Sequence, residues 1–267
     1  MGADIKQLRT RIKSVDSTLH LTKAMELVAS SKIRRATEAM EKSREYADAL
    51  ADTVRELATY EECKRSSYMR CPDGNRMCLV VVAGDRGLAG GYNANIFRLM
   101  RDYPDAKVIP IGKRACDRYG GEVRYAEKLT YAEAKAIADE LCHAFTEGEF
   151  DVVGIVCTKY HNLMSQEAYL CPLFPVERRE DTPSVGAIFE PNEVTVLNAI
   201  IPEYIAGTIL ACVRESFACE VAARRVAMDS AGKNASEMID RLSLEYNRAR
   251  QGAITQEITE IVAGSGM

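Results

Sequence analysis

Apolar residues near the amino terminus recur at Ile5, Leu8, Ile12, Val15 and Leu19, in steps of three and four. This is heptad spacing and predicts an amphipathic helix. The stripe resumes at Met25, Val28, Ile33, Ala36 and Met40 and continues through Ala47, Leu50, Val54 and Leu57. One helix is therefore expected from about Asp4 to residue 59. Its stripe is narrow and rich in small residues, which fits a close partner helix. Ser14, Ser17, Thr18 and Thr22 lower its intrinsic propensity, so it needs tertiary support. A second long pattern follows Pro202, with apolar positions at Tyr204, Ile209, Val213, Phe217, Val221, Ala227, Met238, Leu242, Tyr246, Ala249, Ile254, Ile258 and Ile261. It predicts a helix to about Val262, with Gly232 as its weak point. The two long segments are expected to pair antiparallel, each covering the other's apolar face.

Between them the period changes. CLVVVA (78–83), KVIPIG (107–112), EVRYA (122–126), DVVGIVCTKY (151–160) and AYLCPLFPV (168–176) read as strands. Pro110 puts the second of these at a sheet edge, and the last is also expected at an edge. NANIFRLMRDY (93–103), the stretch around Arg114–Tyr119 and YAEAKAIADELCHAFTEG (131–148) read as helices, the last stopped by Gly148. Strands alternating with helices predict an α/β layer with a largely parallel sheet. Residues 60–77 are polar, with a turn signal at Pro72-Asp73-Gly74, and residues 177–202 read as loop.

Proline placement agrees with this division. All eight prolines lie between Pro72 and Pro202, so both ends of the chain are free to form long helices. No run approaches the ~20 continuous apolar residues of a membrane span, and the first residues lack the apolar core of a signal peptide. The chain is expected to be soluble. A net charge of −4 argues against general nucleic-acid binding, yet Lys and Arg outnumber Asp and Glu about two to one between Met1 and Arg44. That excess is either a solvated helix face or a surface for an acidic partner. Nine cysteines show no CxxC spacing and read as small buried hydrophobes in a reducing compartment.

Candidate chemistry is sparse. GDRGLAGG (84–91) follows a strand, but it lacks both the GxGxxG spacing of dinucleotide folds and the GK[ST] ending of a P-loop. A tight turn that lets a strand and a helix pack closely is the simpler reading. His20, His143 and His161 fall on different elements, and no GxSxG or HExxH is present. The pairs Glu61-Glu62 and Glu180-Asp181 read as solvated loop carboxylates. TKAMELVASSKIRRA (22–36) and EYNRARQGAITQEITEIV (245–262) are dense in basic and hydrogen-bonding side chains, which suggests contact surfaces.

Five stretches carry a resemblance: IKQLRTRIKSV (5–15), TKAMELVASSKIRRA (22–36), VVVAGDRGLAGGYNANI (80–96), AARRVAMDSAGKNASEMID (222–240) and YNRARQGAITQEITEIV (246–262). With them the chain resembles the gamma subunits of F-type ATP synthases. The resemblance implies a long antiparallel coiled coil of N- and C-terminal helices with an inserted, small Rossmann-like α/β domain. The segments would be 1–60, 76–190 and 203–267. It implies a central rotor that couples proton flow to ATP synthesis or hydrolysis at the beta subunits of a ring of three alpha and three beta chains. Further implied partners are the epsilon subunit and the c ring, through which alone the chain would meet the membrane, on the cytoplasmic side of a bacterial cell. No cofactor and no catalytic site on this chain are implied. By position, Lys23, Met25, Lys32, Arg224, Gln251, Thr255 and Glu257 would contact beta, and Ile258, Ile261 and Val262 would form a bearing tip running to Met267. Tyr204 would lie near the c ring, although no acidic residue follows it within Ile205-Ala206-Gly207-Thr208. No thiol switch is expected. Two other readings stay open: an enzyme built on the α/β domain with a helical dimerisation arm, and a coiled-coil adaptor or central stalk of another rotary type.

Overall fold

The structure, a computed structural model, describes residues 2–70, 72, 74–176 and 188–265. Asp73, Cys71, the pair Glu180-Asp181 and the last two residues lie outside them. Two compact units occur, one of Met1–Ser30 with Arg224–Met267 and one of Ser31–Ala223. Helix α1 (Gly2–Leu57, 56 residues) and helix α5 (Glu193–Ser265, 73 residues) contribute to both.

Helix α1 buries Thr22, Ala29, Ala36, Met40, Ala47, Val54 and Leu57. Most of these are seven apart, as a heptad seam requires. The expected stripe is off by one residue at Val28, which is 55% exposed while Ala29 is buried. Small residues win the seam because they let the partner helix approach closely. The Ser and Thr residues expected to weaken the helix hydrogen-bond back along it, as Thr10 does to Lys6 O, Ser17 to Lys13 O and Thr18 to Ser14 O. In the unit containing Arg224–Met267, α5 buries Met228, Ala235 and Leu242, again seven apart, and Met238 is exposed contrary to expectation. Gly232 neither kinks nor turns the chain: α5 runs unbroken through it, packed beside Leu19 and Thr22 of α1.

The second unit holds a four-stranded sheet: β1 (Met77–Val82), β2 (Lys107–Ile111), β3 (Val152–Tyr160) and β4 (Gln166–Phe174), in the order β2-β1-β3-β4. β1 pairs parallel with β2 and β3, and β4 pairs antiparallel with β3. Pro110 and Pro172 thus sit on the two edge strands, where a missing N–H is tolerated. Helices α2 (Tyr92–Leu99), α3 (Lys113–Tyr119) and α4 (Tyr131–Thr146) complete the layer. Thr130 and Glu133 form a capping box at the start of α4. One face of the sheet (Cys78, Val80, Val82, Val153, Ile155, Cys157) packs on Leu141 and Phe145 of α4 and Leu197, Ile201, Ile205 and Ile209 of α5. The other (Leu79, Val81, Val156) packs on Tyr92, Ile96, Ala115 and Cys219.

Two sequence expectations fail in this unit. Residues 122–126 form no strand; Arg124 O accepts from Gly112 N at 2.7 Å, just past the end of β2, and Ala126 packs into the core. Helix α5 begins at Glu193 rather than after Pro202. Asn192 caps it, its Oδ1 accepting from Thr195 N at 2.9 Å. Pro202 costs the helix about 3 kcal/mol, but Leu197, Ile201 and Ile205 around it are completely buried. Each contributes about 1.5–3 kcal/mol. By length and composition part of α5 could cross a membrane, yet its apolar residues from Leu197 to Val213 form the core of a sheet domain.

Candidate functional site

In an open α/β sheet a ligand crevice forms at the carboxyl ends of the strands where the strand order reverses. Here that point lies between β1 and β3, and the loop after β1 is GDRGLAGG. Loops of this kind cradle anions with backbone N–H groups. The first three of those groups are already engaged. Asp85 N and Arg86 N donate to the two carboxylate oxygens of Glu220, each at 3.3 Å, and Gly84 N donates to Asn93 Oδ1 at 2.9 Å. Glu220 comes from α5 and is 2% exposed. Its charge, after burial, is among the causes that push the Tyr92 hydroxyl well above its usual range. Gly84 permits the approach, since a Cβ there would stand 2.8 Å from Glu220 Cδ.

Two more α5 side chains continue the plug. Ser216 Oγ accepts from Thr158 N at 3.0 Å, and Glu215 Oε1 accepts from Tyr160 N at 2.9 Å. These N–H groups belong to the stretch of β3 that runs past the last residue paired with β1. Arg44 of α1 reaches the same Glu215 oxygen at 2.7 Å. Asp85 turns outward to accept from Lys113 N, Ala126 N and Glu127 N at 3.2, 3.0 and 2.9 Å. Glu127 in turn pairs with Lys32 of α1 at 2.6 Å. Polar bonds thus tie both long helices to the loop and the strand end. Sequence reasoning missed Glu215, Ser216 and Glu220. The available signal was two carboxylates inside the apolar run from Ile205 to Ala222, where burial demands a partner.

The sequence-derived contact residues are distributed as follows. Lys23 is exposed and Met25 half-buried on α1; Arg224 is half-buried and Gln251, Thr255 and Glu257 are exposed on α5. These six share the unit of Met1–Ser30 and Arg224–Met267. Thr255 Oγ1 donates back to Gln251 O at 2.9 Å. Ile258, Ile261 and Val262 are more than half exposed. Lys32 and Tyr204 lie in the other unit, Lys32 held by Glu127 and Tyr204 half-buried against the sheet core. Glu203 precedes Tyr204 and meets the Tyr131 hydroxyl and Lys135. The histidines pair peripherally where they pair, His20 with Asp16 and His161 with Glu167. No group of three or more metal-ligating side chains occurs among the described residues. The described cysteines are free thiols, all buried but Cys171.

The arrangement defines a class of protein in which a small α/β domain is inserted between two very long helices, and side chains of the second helix bond to the backbone at the crevice end of the sheet. Solved structures share this fold. The rotor of the mitochondrial ATP synthase of Euglena gracilis matches with a TM-score of 0.68 and 19% identity, over 95% of this chain and 100% of that one. The central stalk and c-ring structure from Tetrahymena thermophila matches with a TM-score of 0.59 and 21% identity, over 79% and 99%. A family model described as ATP synthase matches residues 4–266. The ATP synthase gamma chain of Ruminococcus albus is 39% identical over 98% of both chains. A gamma chain named as sodium ion specific, from Acetobacterium woodii, is 33% identical over 99% of both. The chain belongs to the ATP synthase gamma chain family.

Proposed function

We propose that this chain is the central rotor shaft of an F-type ATP synthase, coupling ion flow through a membrane sector to ATP synthesis or hydrolysis. The full-length match to gamma chains carries this reading. Its partners are three alpha and three beta subunits, an epsilon subunit and a c ring. It binds peripherally on the cytoplasmic face of a bacterial membrane, through the c ring. Functionally, residues 1–60 and 203–267 serve as the shaft and 76–190 as the docking domain. No bond is made or broken on the chain. It acts by presenting different surfaces to three equivalent neighbours, biasing each between states of different nucleotide affinity. Lys23, Met25, Lys32, Arg224, Gln251, Thr255 and Glu257 make the contacts with beta, and the exposed Ile258, Ile261 and Val262 turn in an apolar sleeve. Tyr204 lies toward the c ring. The resemblance implies the proton as the coupling ion; the site that selects between proton and sodium lies on other subunits, so it is read from the assembled complex.

The test is reconstitution with alpha, beta, epsilon and the membrane sector in vesicles. ATP hydrolysis should then drive proton uptake without added sodium. A chain that neither assembles with alpha and beta nor restores hydrolysis overturns the rotor reading. Uptake that requires sodium overturns only the choice of ion.

A further inference from the structure

We propose that Glu220, supported by Glu215 and Ser216, is a mechanical clamp that locks helix α5 into the sheet domain, and that its carboxylate occupies the crevice as a built-in anion. The proposal rests on the rotor reading above. A sheet domain docked to one neighbour and a helix working against others can pass torque only through whatever joins them. Apolar burial holds helix and sheet together, but its free energy carries no direction. Directional bonds fix the register.

The clamp has that character. Within six residues α5 presents three side chains, with four acceptor oxygens, to four backbone N–H groups: Asp85 and Arg86 on the loop after β1, and Thr158 and Tyr160 on β3. Backbone donors on a sheet and its first loop cannot follow a sliding helix, whereas exposed lysines could. Glu220 and Glu215 accept these bonds as buried side chains, 2% and 9% exposed, where an acceptor left without a donor is costly. The same loop passes the constraint on, because Asp85 holds the start of α3 and residues 126–127, and Glu127 holds Lys32. Gly84 is part of the device, since a side chain there would strike the Glu220 carboxylate. The crevice that binds a ligand in other proteins of this architecture binds the shaft here.

Two measurements separate the clamp from the rotor reading. In the full chain alone, Glu220→Ala should speed hydrogen exchange at Asp85 and Arg86 about tenfold, the cost of losing one carboxylate's bonds, and leave the Asn93-bonded Gly84 amide slow. In the assembled complex, hydrolysis should persist while ion transport per ATP hydrolysed falls by about the same factor. Formate, small enough to enter the vacated space, should restore both; chloride should not. Gly84→Ala, whose backbone lies outside the left-handed region, should reproduce both defects without rescue by formate. An unchanged transport-to-hydrolysis ratio in both variants overturns the clamp. So does a parallel loss of assembly, hydrolysis and transport that formate does not reverse, which is the signature of a merely structural residue. Failure of the wild-type complex to transport ions at all strikes the rotor reading instead and leaves the exchange result standing.

Discussion

Asp151 is 4% exposed, and Arg76 meets it with Nη2 at 2.8 Å, Nε at 2.9 Å and its own backbone N–H at 2.8 Å. These bonds hold the carboxyl at about 2, below its ordinary 3.8. A lowered pKa means that the stabilising contribution is complete above pH 3.8 and disappears as pH falls through 2. The buried thiols act at the other limit. Burial is the leading cause that raises Cys63 and Cys78 from 9.0 to about 11 and Cys142 to about 12. Their contribution is complete below pH 9 and lost as pH rises through 11 to 12. Thermal melting across pH should therefore fall off at both ends, and Asp151→Asn should flatten the acid limb alone. An acid limb equally steep in the variant would remove Asp151 as its source. Gln251 and Thr255 invite a different test, because both are exposed. Changing both to alanine should lower coupled ATP synthesis severalfold and leave stability within about 0.5 kcal/mol. Unchanged synthesis by a normally assembled complex would take them off the contact surface.

Helix α1 was readable almost entirely from spacing, because nothing between Ala3 and Leu57 breaks a helix and the apolar period repeats throughout. What spacing could not give was the phase. Ala29 and Ala235 carry little hydropathy signal beside Val28 and Met238, yet close helix approach rewards the small residue. The start of α5 was hidden for a related reason: Pro202 signals a boundary locally, and only the burial of Ile201 and Ile205 outweighs it. Glu220 was hidden more deeply, since its donors lie 134 and 135 residues away in sequence. Gly232 shows how packing revises a propensity argument. A Cβ there would meet Thr22 Oγ1 at 3.7 Å and Leu19 Cδ1 at 3.9 Å, ordinary contact distances. Gly232→Ala should therefore stabilise the helix by about 1 kcal/mol, read as a higher melting midpoint. A lower midpoint would mean that close approach at this position cannot absorb a methyl group.

The two units differ in how much of their surface they satisfy internally. In the unit of Ser31–Ala223, the sheet residues Leu79, Val80, Val81, Ile155 and Val156 are completely buried, and α5 is anchored by side chains that accept from the sheet's own backbone. In the other unit, Leu242 is the last α5 residue counted as buried, and from residue 254 to 264 every residue is exposed. An isolated helix with no packed face is only marginally stable in water, so the segment beyond Tyr246 gains little from the rest of the chain. Amide exchange in the free chain should accordingly divide in two. Amides of β1, β3 and α5 up to about Cys219 should exchange only through global opening, while those from Gln251 to Gly264 exchange orders of magnitude faster. Truncation before Ile258 should leave the melting midpoint of the free chain unchanged, because Ile258, Ile261 and Val262 cover no core. Assembly with alpha and beta should then slow exchange from Gln251 onward if that end is seated in a sleeve. Slow exchange there in the free chain would show that the end is already covered, and equal exchange before and after assembly would show that nothing grips it.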